Sequence, residues 1–425
     1  MARTLAEKII ARAAGRDAVT PGDIVTCAVD LAMMHDSAGP RRVAPILESL
    51  QAKVWDAEKT VVASDHYVPA VDAESAAILD LTRKWVAGHG IPNFYDMQGI
   101  CHVVLPEHGH LLPGMFVVGG DSHSPTGGAF GCFMFGVGAT EMAGVLVTGE
   151  TWIKVPETIL VRWSGRLGRR LSAKDIMLFL CHRLGMEGAE YRVVQYAGDA
   201  IEGLPMAERM TLCNMAAELG AQTGIIAPDS VTADHIRTNG GDPGDVASWQ
   251  GDADATFHAV HDFDAGSLAP QVAAPHSPAN AAAVGNYENV AVNQAYIGAC
   301  TGAKPVDLCM AAAVLKGNRV AAGVRLLIAP ASTRTTAEAA ADGTLATLTE
   351  AGAILMPSGC GACAGYGAGV LAENEVCIAS TARNFKGRMG APSADVYLAS
   401  PYTVAASAIR GRISDPRELL EGRAP

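Results

Sequence analysis

The stretch Met115-Phe-Val-Val-Gly-Gly-Asp-Ser-His-Ser-Pro-Thr-Gly-Gly-Ala129 passes from a short apolar run into a turn that packs three polar side chains between glycines. The run predicts a buried strand, with Asp121, Ser122 and His123 directly after it. Thr60-Val-Val-Ala63 and Thr158-Ile-Leu-Val161 are runs of the same kind, whereas the longer periodic stretch from Ala73 to His89 predicts a helix. Alternation of the two over most of the length predicts an α/β protein with parallel sheets covered by helices. In such sheets the chemistry sits on loops beyond the strand ends, where Asp121 to His123 fall.

A length of 425 residues exceeds one ordinary domain, and 49% hydrophobic residues is ample for several cores. We expect α/β domains over 1–155, 156–285 and 286–425, the first boundary near Pro156. The stretch from about Asp229 to Asn289 is rich in Asp, Gly, Pro, Ala and His with weak periodicity, and predicts a partly irregular connection at the end of the middle domain. The 46 glycines suit short strand-to-helix connections and loops built from backbone.

With 32 Lys+Arg against 44 Asp+Glu, the formal charge of −12 argues against nucleic acid as a partner. No run approaches the roughly 18 apolar residues that a membrane-spanning helix needs. The first residues, with Leu5, Ile9 and Ile10 around Glu7 and Lys8, predict an amphipathic helix rather than a signal peptide. Ten cysteines without secretory features predict reduced thiols and a cytoplasmic location. Seven of them, Cys27, Cys101, Cys132, Cys181, Cys213, Cys309 and Cys377, read as buried small hydrophobes.

The other three differ. Cys300 lies in Gly-Ala-Cys-Thr-Gly302, and Cys360 and Cys363 form a Cys-x-x-Cys pair in Ser-Gly-Cys-Gly-Ala-Cys-Ala-Gly365. Alone, the pair would suit a redox couple or half a zinc site. No second pair completes a zinc site, and a redox couple leaves the Cys300 loop unexplained. Three thiolates can hold a metal cluster and leave one metal position open, which suits Lewis-acid chemistry on a substrate hydroxyl and carboxylate.

Asp65-His66 follows the strand-like Val-Val-Ala, and a carboxylate beside an imidazole fixes its orientation and raises its basicity, as a general acid or proton relay requires. Taken singly, Asp121-Ser-His123 reads as an Asx-turn with a surface histidine, and His102 as a satisfied core histidine. A serine-hydrolase triad is disfavoured, because neighbouring residues cannot all converge and no Gly-x-Ser-x-Gly elbow occurs. Asn214 and Glu218 fall four apart on a predicted helix ending at Gly220, and so share one face. Arg383 and Arg388, across a glycine bend, can clamp carboxylates.

Together and in this order these motifs resemble the aconitase superfamily, and within it the 3-isopropylmalate dehydratase large-subunit group. The resemblance spans nearly the whole chain. It implies a three-domain α/β/α architecture lacking the family's swivelling fourth domain, and hence a small-subunit partner that carries it. It also implies a [4Fe-4S] cluster on Cys300, Cys360 and Cys363 with one open iron. His66, supported by Asp65, then resembles the proton donor. His102, Asp121, Ser122, His123 and Glu218 resemble its positioning network, and Arg383, Arg388, Asn214 and Lys304 groups that bind substrate or cluster loop. The implied reaction is dehydration, with or without rehydration, of a small di- or tricarboxylic acid. A substituted malate such as 3-isopropylmalate comes first, with 2,3-dimethylmalate or citramalate as alternatives. Gly302-Ala303 and Ala382 depart from the family's usual asparagines. Two other readings keep the same residues: a single-iron site, and a cluster-free relative that binds RNA or protein.

Overall fold

The computed structural model describes residues 2–420. Three sheets organise the chain. The first runs in the order Asn93–Asp96, Thr60–Ser64, Leu31–His35, Phe116–Gly119, Phe133–Gly136, and every pair is parallel. The second runs Thr223–Ile226, Val193–Ala197, Thr158–Ser164, Ala259–Asp264, also parallel. In the third, Asp395–Ala399, Val376–Ala379, Gln294–Ile297, Arg325–Ile328 and Ile354–Leu355 are parallel, and Gln271–Ala273 and Ala281–Ala283 add an antiparallel edge. A two-stranded antiparallel ribbon, Ile24–Ala28 with Glu150–Lys154, lies apart from them.

The sequence patterns account for these elements. The helix Ala73–His89 has the predicted limits: the Asp72 side chain accepts from the Ser75 amide at its start, and Gly90 turns left-handed at its end. The first helix, Leu5–Ala13, buries Leu5, Ile9 and Ile10 behind a Thr4–Glu7 capping box. In the first sheet side chains alternate between two cores. Met33, Val61 and Val117 face the core shared with the other two sheets, and Met34, Val62 and Val118 face a second core beneath the first helix.

The weakly periodic stretch is partly irregular, with only the short turn Val246–Ser248 between Thr238 and Ala259, but it also holds a regular strand, Ala259–Asp264, paired over its full length, and the edge strands at 271–283 join the third sheet. Its alternate residues are half-buried and exposed at a sheet edge, so no apolar run marks the strand. One reading of the sequence needs correction. Cys309 is exposed, while the other six supposed core cysteines are buried.

Strand order positions the site. In the first sheet Leu31–His35 is flanked by Thr60–Ser64 on one side and Phe116–Gly119 on the other, so the chain reverses its direction of winding there. The third sheet reverses at Gln294–Ile297. Ligands of open α/β sheets bind beyond the strand ends at such reversals. Among the described residues no helix is long and apolar enough to cross a membrane.

Candidate active site

At the first reversal three strand ends deliver six ionisable side chains, His35, Asp36, Asp65, His66, Asp121 and His123. His66 Nδ1 lies 2.6 Å from Asp65 Oδ1, and Asp65 Oδ2 accepts the Cys101 amide at 2.7 Å. Asp36 accepts the amides of His66 and Tyr67. His35 stacks on His66 with ring centroids 4.2 Å apart. His102, on the helix Cys101–Glu107, sets Nε2 2.7 Å from Asp121 Oδ1, which also accepts the His123 amide. This histidine is buried but serves a network rather than an apolar core.

Burial and pairing divide these groups electrically. Burial works to raise the Asp65 carboxyl, yet the facing His66 ring holds it below the usual carboxylate range. Burial works against charge on His66, but the Cys360 sulfur and Asp65 hold the imidazole well above its ordinary value. His35 goes the other way, down to about 4, through burial and the neighbouring His66 charge. Asp36 is pushed up to about 6 by burial and by Asp65. Divergent neighbours of this kind separate a proton-carrying group from its supports.

The third sheet supplies the sulfurs, Cys300 at its reversal and Cys360 and Cys363 beyond its edge strand Ile354–Leu355. Ala299, in the left-handed region at φ 68°, turns the chain off the strand Gln294–Ile297 and presents Cys300. Cys360 opens the tight turn Gly361–Ala364, which carries Cys363, and the Cys360 amide is anchored on the Asp65 carbonyl at 2.8 Å. Each sulfur meets a donor of a different kind: the Asn214 amide 3.1 Å from Cys300, the His66 ring at Cys360, and the Arg388 guanidinium at Cys363. Burial and the other two sulfurs push the Cys300 thiol up, and burial takes Cys360 to about 12. The sequence departure at Gly302 has a local cause, since a Cβ there would collide with the Ser380 side chain.

The second sheet contributes through a helix. The α-helix Met206–Asn214 tightens to a 3₁₀ turn over Met215–Leu219 before left-handed Gly220. At three residues per turn, positions four apart no longer share a face. Asn214 and Glu218 therefore diverge: Asn214 reaches Thr126 and Cys300, and Glu218 Oε1 meets His123 Nε2 at 3.2 Å and Arg383 Nε at 2.6 Å. Arg383 also donates to Ser122 Oγ, so much of its guanidinium is already committed. Lys304 is buried and donates to Thr211, the Cys300 carbonyl and Asp307; it braces the Cys300 loop from below and does not line the cleft.

The converging groups line a cleft of about 260 Å³, with His35, His66, His102, Asp121, Ser122, His123, the three cysteines, Arg383 and Arg388 among its walls. His102 Nδ1, Asn214 Oδ1, Glu218 Oε2 and Arg388 Nε are buried there without a protein partner. His102 and Arg388 line the cleft and Asn214 and Glu218 stand behind its walls, on Cys300 and on His123 and Arg383, so the unpartnered groups gather at a site shaped for something besides itself. A larger cleft, about 770 Å³, lies between the first and second sheets, but its Arg192 is already paired with Glu157 and Glu190. Size alone does not select it.

Sequence reasoning missed four contributors. His35 and Asp36 sit at a strand end as Asp65 and His66 do, and that signal was available. Buried Lys174 donates to Thr301 Oγ1 and to the Ser380 and Thr381 carbonyls, tying the Cys300 loop to the Arg383 loop, and Tyr366 lines the cleft. Nothing local in the sequence marks either.

The family pattern described as the aconitase family (aconitate hydratase) matches residues 7–289 and 285–411. The chain is 45% identical over 421 residues to the 3-isopropylmalate dehydratase large subunit 1 of Methanopyrus kandleri, covering 99% of this chain and 100% of that protein. It is 44% identical to a "probable methanogen homoaconitase large subunit" of Methanothermobacter thermautotrophicus, over 97% of both. A Moorella thermoacetica 3-isopropylmalate dehydratase large subunit is 41% identical over 99% of this chain and 100% of its own length. Among solved structures, Thermococcus kodakaraensis aconitase X (holo-form) superposes with a TM-score of 0.50 at 12% identity, over 84% of each chain, a likeness of fold. With the pattern spanning most of its length and relatives above 40% identity end to end, the chain belongs to the aconitase family.

Proposed function

We propose that this chain is the large subunit of an iron–sulfur hydro-lyase that dehydrates a substituted malate, in the manner of 3-isopropylmalate dehydratase, and that a small subunit completes its active site. One observation carries the reading: three cysteines and two His–Asp pairs meet at a single cleft between loops of the first and third sheets. The names of the relatives, three dehydratase or homoaconitase large subunits, supply the reaction class and the partner.

The donor set fits a [4Fe-4S] cluster on Cys300, Cys360 and Cys363. Cys300 and Cys363 are buried and Cys360 is half-buried, and each has a hydrogen-bond donor beside its sulfur, an arrangement suited to thiolate ligands of a metal centre. A cluster places one iron on each thiolate, and the ratio of iron to sulfide distinguishes it from a single ion.

When bound, the cluster supplies a Lewis-acidic iron that polarises the substrate hydroxyl. This chain supplies the leaving-group proton, the positioning network and the charge, and the small subunit that completes the site supplies the base that takes the substrate's proton. Asp65 holds His66 by Nδ1, and the other ring nitrogen, which faces the Cys360 sulfur until substrate enters, carries the proton that leaves with the hydroxyl. Asp121 orients His102 and the His123 backbone, and Glu218 joins His123 to Arg383, fixing the polar wall opposite. Arg388 and the free edge of Arg383 offset the substrate's carboxylate charge, which otherwise opposes removal of the neighbouring proton. Lys304 braces the cluster loop. The test is anaerobic purification with iron and sulfide quantitation, then assay of 3-isopropylmalate dehydration with and without the small subunit. Iron and sulfide in cluster ratio, with turnover only in the complex, is expected; protein that takes up neither on reconstitution would defeat the proposal.

A further inference from the structure

A substituted malate presents two carboxylates, a hydroxyl and an alkyl branch, and the branch is what distinguishes one such acid from the next. The cleft meets the first three with arginines and histidines. Its apolar lining is sparse: Ala38, Ala299, Ala364, Ala382 and one large ring, Tyr366. That ring is 41% exposed and its hydroxyl has no partner among the described residues. It packs on Tyr67 with centroids 4.9 Å apart and stands 6.0 Å from the His66 ring. Tyr67 is held in turn, by its amide on Asp36 and by Arg41 donating to its hydroxyl at 3.1 Å.

The loop that carries the ring has little freedom. Gly365, at φ 75°, follows the cysteine turn, and a Cβ there would come 2.9 Å from the Arg388 carbonyl. The backbone just before Tyr366 is thus fixed against the arginine loop, and the ring is braced on Tyr67 beside His66. An aromatic face placed this way has no internal bond to satisfy and is open to an apolar group brought by the substrate.

We propose that Tyr366 is a specificity-determining residue of this chain: its ring is a wall against which the alkyl branch of the acid packs, so the large subunit contributes one side of the branch pocket that the small subunit completes. This rests on the dehydratase reading and deepens it. One methylene more or less in an apolar pocket changes kcat/KM by about 10- to 200-fold. Moving this wall therefore changes the ranking of acids more than the rate for any one of them.

The experiment compares kcat/KM for 3-isopropylmalate and for 3-methylmalate, whose branch on the same carbon is a methyl group, in the complex with its small subunit. Wild type, Tyr366→Phe, Tyr366→Ala and Tyr366→Trp are measured, with iron content recorded for each. Tyr366→Phe is expected to keep the wild-type ratio, Tyr366→Ala to shift it toward the larger branch by about 10-fold or more, and Tyr366→Trp to shift it toward the smaller. Equal losses on both acids, or ratios unchanged in both the Ala and Trp variants, overturn the inference while leaving the dehydratase reading in place. Should Tyr366→Ala not fold, the Trp variant alone decides by the direction of its shift. A wild-type complex that dehydrates neither acid defeats the dehydratase reading and this inference together.

Discussion

The edges of the first and third sheets do the same topological job with opposite chemistry. Both reach the cleft at a reversal of strand order. At the first, polar groups are tied chiefly to one another: His66 to Asp65, Asp36 to two backbone amides, Asp121 to His102 and to the His123 amide. At the third, the sulfurs hold little of the protein together, and donors from other elements converge on them. The acid–base edge is preorganised by the polypeptide itself. The sulfur edge is arranged around something the polypeptide does not supply.

The largest effect expected from that contrast is at Cys360. Cys360→Ser should eliminate iron retention and turnover, since loss of one of three thiolates leaves the cluster poorly held. It should leave the thermal midpoint of the metal-free protein nearly unchanged, because its anchor to the first edge is the amide, which serine keeps. Iron analysis and calorimetry check both. A collapse of the metal-free protein would show that the two edges are not independent. His66→Ala should do the reverse, keeping iron while lowering kcat by roughly 10²- to 10⁴-fold, the scale of a lost general acid.

How much of this could be read from the chain obeys the same divide. Strand-end placement made Asp65, His66 and Asp121 to His123 legible, because a short apolar run points at the residues directly after it. The cysteines were legible by spacing and glycine context. The helix carrying Asn214 and Glu218 was legible as a helix but not in its 3₁₀ end, since the change of pitch leaves no mark on the apolar pattern. Lys174 and Tyr366 were invisible because their roles depend on contacts 127 to 207 residues away, for the lysine, and on a packed neighbour from another sheet, for the tyrosine. His35-Asp36 is a different case: the pattern was present and only its order reversed.

A smaller effect sharpens the contrast from the sulfur side. Gly302 lies against Ser380, whose hydroxyl accepts the Gly298 amide and donates to the Gly298 or Gly302 carbonyl. Gly302→Ala should cost about 1–3 kcal/mol by overpacking. Ser380→Gly added to it should recover part of that loss, since the Ser380 carbonyl, 2.6 Å from the new Cβ, still crowds it. Urea unfolding of the single and double variants measures the coupling. Full additivity would mean that the loop relaxes and that the departure at Gly302 has some other cause.

The smallest effect sits at the seam between the edges. Glu107 ends the helix that carries His102, and it accepts from Ser332 Oγ at 2.7 Å, at the start of a third-sheet helix. Burial pushes its carboxyl up to about 7 from an ordinary 4.5, against the opposing pull of Ser332 and Arg334. Its folded pKa thus exceeds its unfolded one, and between these values the folded state holds the extra proton. The stability this group contributes is therefore complete below about pH 4.5 and falls as pH rises through 7. With part of the side chain open to solvent, the loss is on the order of 1–2 kcal/mol. Glu107→Gln removes this titration, so the variant should lose less stability than wild type between pH 5 and pH 8, by that amount, in paired urea titrations. Other buried carboxyls, Glu208 and Asp175, tilt both proteins alike and cancel in the difference. Parallel pH profiles would mean that Glu107 is ionised at the seam across this range, held by Arg334 rather than neutralised by burial.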